Sequence, residues 1–239
     1  MILLSGCSFV DNSDMPRAIF GRDAYNKHRV KIVGYGGAGN HWMSRGILEN
    51  LEHVDNVLVL WTGFSRLDIE VPVEMVDDIQ TYYDDTDIPM HYTVDKKNVW
   101  FHSGGWDGKW CNHPRTKYAD YMYKFMQSQY KPLNWDHLTN KSLIDIAGCL
   151  NTLEAKGIPY KYGFISDIFK DYGDTQGSLS GPVSRSNPLL ELLNWDHCLS
   201  SSPFDYCVEN NLLSDDNFHP SKLGYQSWWN SIKHEVPFI

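Results

Sequence analysis

The sequence lacks the features of disulfide-bonded, secreted and membrane proteins. Its five cysteines form no CxxC pair and have no regular spacing, which excludes a disulfide framework and a zinc ribbon. No apolar run approaches the roughly 20 residues of a membrane span, so no membrane partner is expected. The run Met1–Leu4 is too short for a signal-peptide core, and no basic region precedes it. We therefore predict a soluble protein of a reducing compartment, the cytoplasm.

Basic residues are also scarce. Lys and Arg number 21 against 30 Asp and Glu, which gives a formal net charge of -9. Nucleic-acid binding needs a basic surface that displaces counterions, so no nucleic-acid partner is expected. A composition of 42% hydrophobic and 21% charged residues is typical of folded globular proteins and excludes disorder. The 239 residues are predicted to form one domain.

Aromatic residues, in contrast, are abundant. They make up 14% of the chain, with 9 Trp, 14 Tyr and 10 Phe, and many fall in the segment at about 72–140. This segment is acidic in its first half and fits no simple strand–helix unit. We interpret it as a long insertion into the single domain at 1–239, partly helical over 116–129 and packed over the strand ends. We interpret its aromatic side chains as residues that cover a bound substrate. The alternative is that they simply pack onto the sheet.

Short apolar strands alternate with amphipathic helices on both sides of this insertion. Apolar residues that recur three or four positions apart indicate the helices, and short unbroken apolar runs indicate buried strands. The predicted strands cover about 1–4, 30–35, 57–61 and 158–165. One predicted helix begins at 40 and carries apolar residues at Met43, Ile47, Leu51 and Val54. A second ends near 157, and a third runs over about 221–232. This alternation predicts an α/β fold, a three-layer α/β/α sandwich with a parallel, flavodoxin-like sheet. Such sheets bind ligands at the carboxyl ends of their strands.

Three groups of residues lie at those predicted strand ends. Gly6-Cys7-Ser8 follows the first strand, where a helix cap is the alternative role for Ser8. The glycine-rich turn 34–40 follows the second strand, and its N–H groups can bind a phosphate or a developing oxyanion. This turn fits neither the GxGxxG nor the P-loop spacing, and a plain tight turn is its alternative. Before the last helix, Asp216 precedes His219 by three residues, which lets its carboxylate orient the imidazole or make a simple loop hydrogen bond.

The content, order and spacing of these three groups resemble the SGNH (GDSL-type) hydrolase family. The resemblance covers residues 1–70 and about 141–239. It implies that Ser8 is the nucleophile, that His219 is the general base and later the general acid, and that Asp216 orients and supports His219. It also implies an oxyanion hole formed by the backbone N–H groups of Ser8 and Gly37.

The sequence departs from the family at two positions. Cys7 stands where the family usually has Asp, and because residues adjacent along a strand point to opposite faces, only one of Cys7 and Ser8 can face the histidine. The family's GxND-like block, whose Asn donates to the oxyanion, is replaced by the stretch 62–68. Ser65 occupies the position nearest to that Asn, with Asn40 and Arg66 as other candidates for the third donor. Arg66 is also a candidate for binding an anionic substrate or for pairing with Asp68.

The expected activity is hydrolysis of a small acyl ester through an acyl-serine intermediate. The substrate is expected to be a small molecule or a carbohydrate that carries O-acetyl groups, because Trp and Tyr faces cover the apolar faces of sugar rings. His102, Cys111 and His113 match no zinc spacing, and the acidic stretch 84–87 matches no calcium loop, so no metal site and no cofactor are expected.

Two other functions remain open at this point. One is a catalytically weak or inactive module of the same fold, for binding carbohydrate or for assembly in a phage particle, which would also allow a location in the virion. The other is metal-assisted hydrolysis of a phosphate ester. The altered third block favours the first of these two, because it removes a donor that efficient ester hydrolysis uses.

Overall fold

The structure is a computed structural model that describes most of the chain. The described residues are 1–11, 14–64, 66, 68–72, 91–94, 98–102, 135–172 and 182–239. The predicted helix at 116–129, most of the aromatic insertion, Cys111, His113 and Ser65 lie outside them. Among the described residues, no helix combines the length and the apolar character needed to cross a lipid bilayer.

The elements follow the predicted alternation. The strands are β1 (Ile2–Gly6), β2 (Val30–Gly34), β3 (Asn56–Trp61), β4 (Asp68–Pro72), β5 (His91–Val94), β6 (Asn98–His102) and β7 (Tyr160–Phe164). The α-helices are α1 (Ser8–Asp11), α2 (Asp14–Phe20), α3 (Asn40–Glu49), α4 (Trp135–Ala155), α5 (Pro203–Glu209) and α6 (Lys222–Ile232). Short 3-10 segments lie at Gly21–Tyr25, Pro188–Leu192, Trp195–His197 and Lys233–Glu235.

The main sheet confirms the predicted fold class. Its four strands run in the order β2-β1-β3-β7, and every neighbouring pair is parallel. The order matches the start of the flavodoxin-like 2-1-3-4-5 arrangement, with β7 in fourth place. The long insertion follows the third strand and begins with a separate antiparallel sheet in the order β4-β6-β5. It ends before α4, which begins at Trp135.

Helices cover both faces of the parallel sheet and form two apolar clusters. Successive strand residues point to opposite faces, so Leu3 joins the cluster packed by α3 and α4, while Leu4 joins the cluster packed by α1, α2, α5 and α6. In β3, Val59 and Leu60 divide in the same way. All four side chains are fully buried, which explains why these strands read as unbroken apolar runs.

The first helix of the chain differs from the prediction. Strand β1 ends at Gly6, and Ser8 is the first residue of α1 rather than a side chain at the strand end. Gly6 permits this sharp change of direction, because a Cβ there would lie 2.4 Å from Val10 Cγ2. The nucleophile candidate therefore stands on a short helical turn beside the carboxyl edge of the sheet.

Candidate active site

Three side chains from the two ends of the chain meet beside the sheet edge. His219 Nε2 lies 2.9 Å from Ser8 Oγ, and His219 Nδ1 lies 2.6 Å from Asp216 Oδ2. Ser8 and His219 are 211 positions apart in sequence, so the fold alone brings them together. The hydroxyl, the imidazole and the carboxylate thus form one continuous hydrogen-bonded chain.

A tight loop before α6 presents the histidine and the aspartate. The Ser214 N–H donates to the His219 carbonyl at 2.8 Å, and the Ser221 N–H donates to the Leu212 carbonyl at 2.8 Å, so the two ends of the loop are paired. Asn217 adopts a φ of 56°, the left-handed conformation that Asn tolerates better than most residues. We call the range 212–221 the histidine loop.

Asp216 is held as a carboxylate by several donors. Its Oδ1 accepts the Ser214 hydroxyl at 2.6 Å and the N–H groups of Phe218 and His219 at 2.9 and 2.8 Å. Burial by itself raises the pKa of Asp216, but the hydrogen bonds from Ser214, from the His219 ring and from these two backbone groups outweigh it and hold the pKa well below the usual range. An ionised carboxylate only accepts hydrogen bonds, so Nδ1 of His219 carries the proton and Nε2 is left to accept the Ser8 hydroxyl.

Aromatic rings fix the imidazole from the sides that hydrogen bonds do not reach. The ring of Phe9, the residue after Ser8, lies 5.1 Å from the His219 ring, and the Phe218 ring lies 4.9 Å from it in an edge-on arrangement. Phe9 and Phe218 also contact each other, at 5.6 Å. The histidine therefore has little freedom to turn away from Ser8.

Cys7 does not face the histidine. It is fully buried, and its side chain belongs to the cluster beneath α1 and α6, together with Tyr225 and Trp228. Its Sγ lies 4.0 Å from the Ser8 hydroxyl. Of these two adjacent residues, only Ser8 contacts the imidazole.

The glycine-rich turn after β2 has the shape of a type II turn. The Ala38 N–H donates to the Tyr35 carbonyl at 3.2 Å, and Gly37 in the third position has a φ of 81°, which strongly favours glycine. The Gly36 N–H donates to Asp11 Oδ2 at 3.1 Å. Within the described residues, the Gly37 N–H makes no hydrogen bond of its own.

Two of the three candidates for a third oxyanion donor, Asn40 and Arg66, hydrogen-bond to other parts of this region. Asn40 is buried, and its side chain donates to the Thr62 carbonyl at 3.1 Å and accepts the Thr62 N–H at 3.0 Å, so it links the start of α3 to the end of β3. Arg66 is buried as well, and its Nη1 donates to the Ala38 carbonyl at 3.3 Å. Ser65 lies outside the described residues.

Asp68 supplies the cap for α3. Its Oδ1 accepts the Gly39 N–H and its Oδ2 accepts the Trp42 N–H, both at 2.8 Å. A negative charge at this end of a helix is favourable, because the first N–H groups have no partner within the helix. A Cβ on Gly39 would lie 2.8 Å from Asp68 Oδ2, so glycine is required for this close approach.

Sequence reasoning did not find the roles of two carboxylates that shape the site, Asp11 and Asp68, and considered Asp68 only as a partner of Arg66. Asp11 lies three residues after Ser8 on α1, so both side chains project from the same side of that helix. Asp68 is separated from its partners in α3 by more than 25 residues. The spacing of three residues between Ser8 and Asp11 could have indicated the role of Asp11 from the sequence. The contact of Asp68 with the start of α3 could not, because it depends on the fold.

The chain was compared with known proteins. Neither the protein-family models, nor the curated proteins, nor the solved structures contain a match. Its function is therefore inferred from the residues and the geometry of the site.

Proposed function

We propose that this chain is a serine esterase of the SGNH type, which hydrolyses a small acyl ester through an acyl-Ser8 intermediate. The observation that supports this most directly is the hydrogen-bonded chain Ser8–His219–Asp216, with distances of 2.9 and 2.6 Å. A hydroxyl that contacts an imidazole, which is in turn oriented by a carboxylate, is the arrangement that activates serine for acyl transfer.

The reaction proceeds in two halves. Ser8 Oγ attacks the ester carbonyl carbon while His219 Nε2 takes the hydroxyl proton, and the carbonyl oxygen becomes an oxyanion. When the tetrahedral intermediate collapses, the bond to the alcohol oxygen breaks and His219 returns its proton to that oxygen. A water molecule then repeats the same steps on the acyl-Ser8, which releases the carboxylic acid and restores the free hydroxyl.

The oxyanion is stabilised by backbone donors. In this proposal they are the N–H groups of Ser8 and of Gly37, the latter in the turn that faces α1. Loss of one such donor raises the barrier by about 2.7–4 kcal/mol in a serine protease, so each donor is a substantial part of catalysis. Arg66 supports the same turn through Ala38.

The proposed substrate is a small acyl ester, and in particular an O-acetyl group on a carbohydrate. Support comes from the aromatic content of the segment at about 72–140, since flat Trp and Tyr rings cover the apolar faces of sugars. The proposed location is the cytoplasm. Support comes from the described cysteines, Cys7, Cys149, Cys198 and Cys207, which are free thiols.

A fluorophosphonate probe tests the proposed function. We expect one adduct on wild-type protein, located at Ser8, together with turnover of p-nitrophenyl acetate. The adduct should be absent in Ser8→Ala and strongly reduced in His219→Ala, because the hydroxyl is then missing or not activated. Ser186→Ala is the matched control, since Ser186 is an exposed serine whose hydroxyl contacts Ser184 and lies outside the site.

The same experiment separates esterase from binding module. Unlabelled wild-type protein that also fails to turn over p-nitrophenyl acetate would contradict the esterase and favour a module for carbohydrate binding or assembly. Turnover of p-nitrophenyl phosphate that disappears with a chelator but persists in Ser8→Ala would instead favour metal-assisted hydrolysis of a phosphate ester.

A further inference from the structure

Helix α1 carries two polar side chains that face the site. Ser8 opens the helix and Asp11 closes it, and the Cys7 carbonyl accepts the N–H groups of Val10 and Asp11 at 2.9 and 3.0 Å. These bonds fix the turn that separates the two side chains. Any group held by Asp11 is therefore held at a fixed position relative to the Ser8 hydroxyl.

The group that Asp11 holds is the glycine-rich turn. Its Oδ2 accepts the Gly36 N–H at 3.1 Å, across 25 residues of sequence. Gly36 and Gly37 are the two central residues of the type II turn, so fixing the Gly36 N–H also restricts the peptide that joins them. That peptide carries the Gly37 N–H, the proposed oxyanion donor.

The backbone is shaped to allow this contact. A Cβ on Gly34 would lie 3.3 Å from Asp11 N and 3.1 Å from Val10 Cγ1, so glycine at residue 34 lets the end of β2 pass close to α1 without a tight contact. The Tyr35 N–H donates to the Gly6 carbonyl at 3.3 Å, which ties the same stretch to the end of β1. Asp11 provides the side-chain link between the helix of the nucleophile and the turn of the oxyanion donor.

We infer that Asp11 is a positioning residue, whose carboxylate holds the Gly36–Gly37 turn so that the Gly37 N–H points at the oxyanion formed beside Ser8. This inference rests on the proposed function. It does not require Asp11 to touch the substrate. The oxyanion exists only after attack on the carbonyl, so a misplaced donor weakens binding of the transition state and leaves binding of the ester unchanged.

The test compares Asp11→Ala, Asp11→Asn and Asp23→Ala in turnover of p-nitrophenyl acetate, with active sites counted by fluorophosphonate labelling. Ala removes the acceptor, and we expect kcat per active site to fall about 10- to 100-fold with KM within about twofold of wild type. Asn keeps an acceptor oxygen for the Gly36 N–H, so it should retain kcat within about threefold. Asp23 is a remote aspartate paired with Arg29, and its variant should match wild type.

Three results would overturn the inference. One is Asp11→Ala with wild-type kcat per active site. Another is an equal loss in Asp11→Asn and Asp11→Ala, which would mean that charge matters rather than the accepted hydrogen bond. The third is a loss that follows the unfolded fraction measured by circular dichroism. In all three cases, fluorophosphonate labelling of the wild-type protein at Ser8 would still support the proposed function. A failure of the inference about Asp11 is therefore distinguishable from a failure of the proposed function.

Discussion

The two oxygens of Asp216 have different partners. Oδ1 accepts the Ser214 hydroxyl and the N–H groups of Phe218 and His219, while Oδ2 accepts the His219 ring. The first set fixes the carboxylate to the histidine loop, and the second fixes the tautomer of the imidazole. One side chain thus both shapes the loop and orients the His219 imidazole.

Asp216→Asn should separate these roles. The amide keeps the size of the side chain, but its NH2 group can face Nδ1 and leave the proton on Nε2, where it blocks proton transfer from Ser8. We expect kcat for p-nitrophenyl acetate to fall by about 10⁴-fold, as for the corresponding change in a serine protease. The neighbouring exposed Asp215→Asn is the control, and equal activity in the two variants would contradict the assigned role.

The same substitution has a pH-dependent effect on stability. Because the folded chain lowers the pKa of Asp216, its carboxylate stabilises the fold above the unfolded pKa of about 3.9, and this contribution is lost as pH falls through the folded value. The side chain is half exposed, so solvent screening keeps the contribution small. Urea unfolding of wild type and Asp216→Asn should therefore differ most near pH 7 and converge below about pH 4. A difference independent of pH would contradict this.

At the scale of elements, α6 and the histidine loop are packed against each other. A Cβ on Gly224 of α6 would lie 2.5 Å from the Leu212 carbonyl, where the loop begins, and 2.8 Å from Cys207 Sγ of α5. The Ser221 hydroxyl accepts the Gly224 N–H at 3.1 Å and caps the helix. The position of the loop therefore depends on the absence of a side chain at residue 224.

Gly224→Ala should disturb the site without changing any of the three proposed catalytic side chains. The extra methyl must displace backbone, so we expect the free energy of unfolding to fall by about 1–3 kcal/mol and kcat to fall with it. Gly148→Ala is the matched control, because Gly148 lies in helix α4 with no atom near its absent Cβ. That change should stabilise the chain by about 0.5–1 kcal/mol. Equal stability of the two variants in urea would contradict the packing described here.

How well each helix or strand could be predicted from the sequence depends on its length and on how deeply it is buried. The run Val57–Trp61 and the spacing of Met43 and Ile47 predicted β3 and α3, because a fully buried strand and an amphipathic helix each leave a regular apolar pattern. Helix α3 ends at Glu49, before the predicted Leu51 and Val54, and His53 with a φ of 63° then turns the chain.

Other features could not be predicted from apolar patterns. Helix α1 has only four residues, too few to show a period of 3.6. The cap that Asp68 places on α3 joins residues distant in sequence, and no local rule identifies it. The meeting of Ser8 with His219 was expected only from the family resemblance, since apolar periodicity carries no information on contacts between distant polar residues.

For the whole molecule, the parallel sheet separates two apolar layers that should unfold together. Leu3 and Leu4 are adjacent and fully buried, and they belong to different clusters. Leu3→Ala and Leu4→Ala should each lower the free energy of unfolding by about 2–5 kcal/mol. If the layers form one cooperative unit, each variant shows a single urea transition with the wild-type slope. A second transition in either variant would mean that one layer unfolds alone.

The separation of Ser8 from His219 by 211 positions also determines when the site can form during protein synthesis. A ribosome that adds about 5–20 residues per second needs roughly 10–40 s between these two residues. Throughout that interval the nascent chain carries the proposed nucleophile, Ser8, without the proposed base, His219. Under the proposed function, esterase activity therefore appears only after the histidine loop has been translated, and a chain truncated before that loop lacks it.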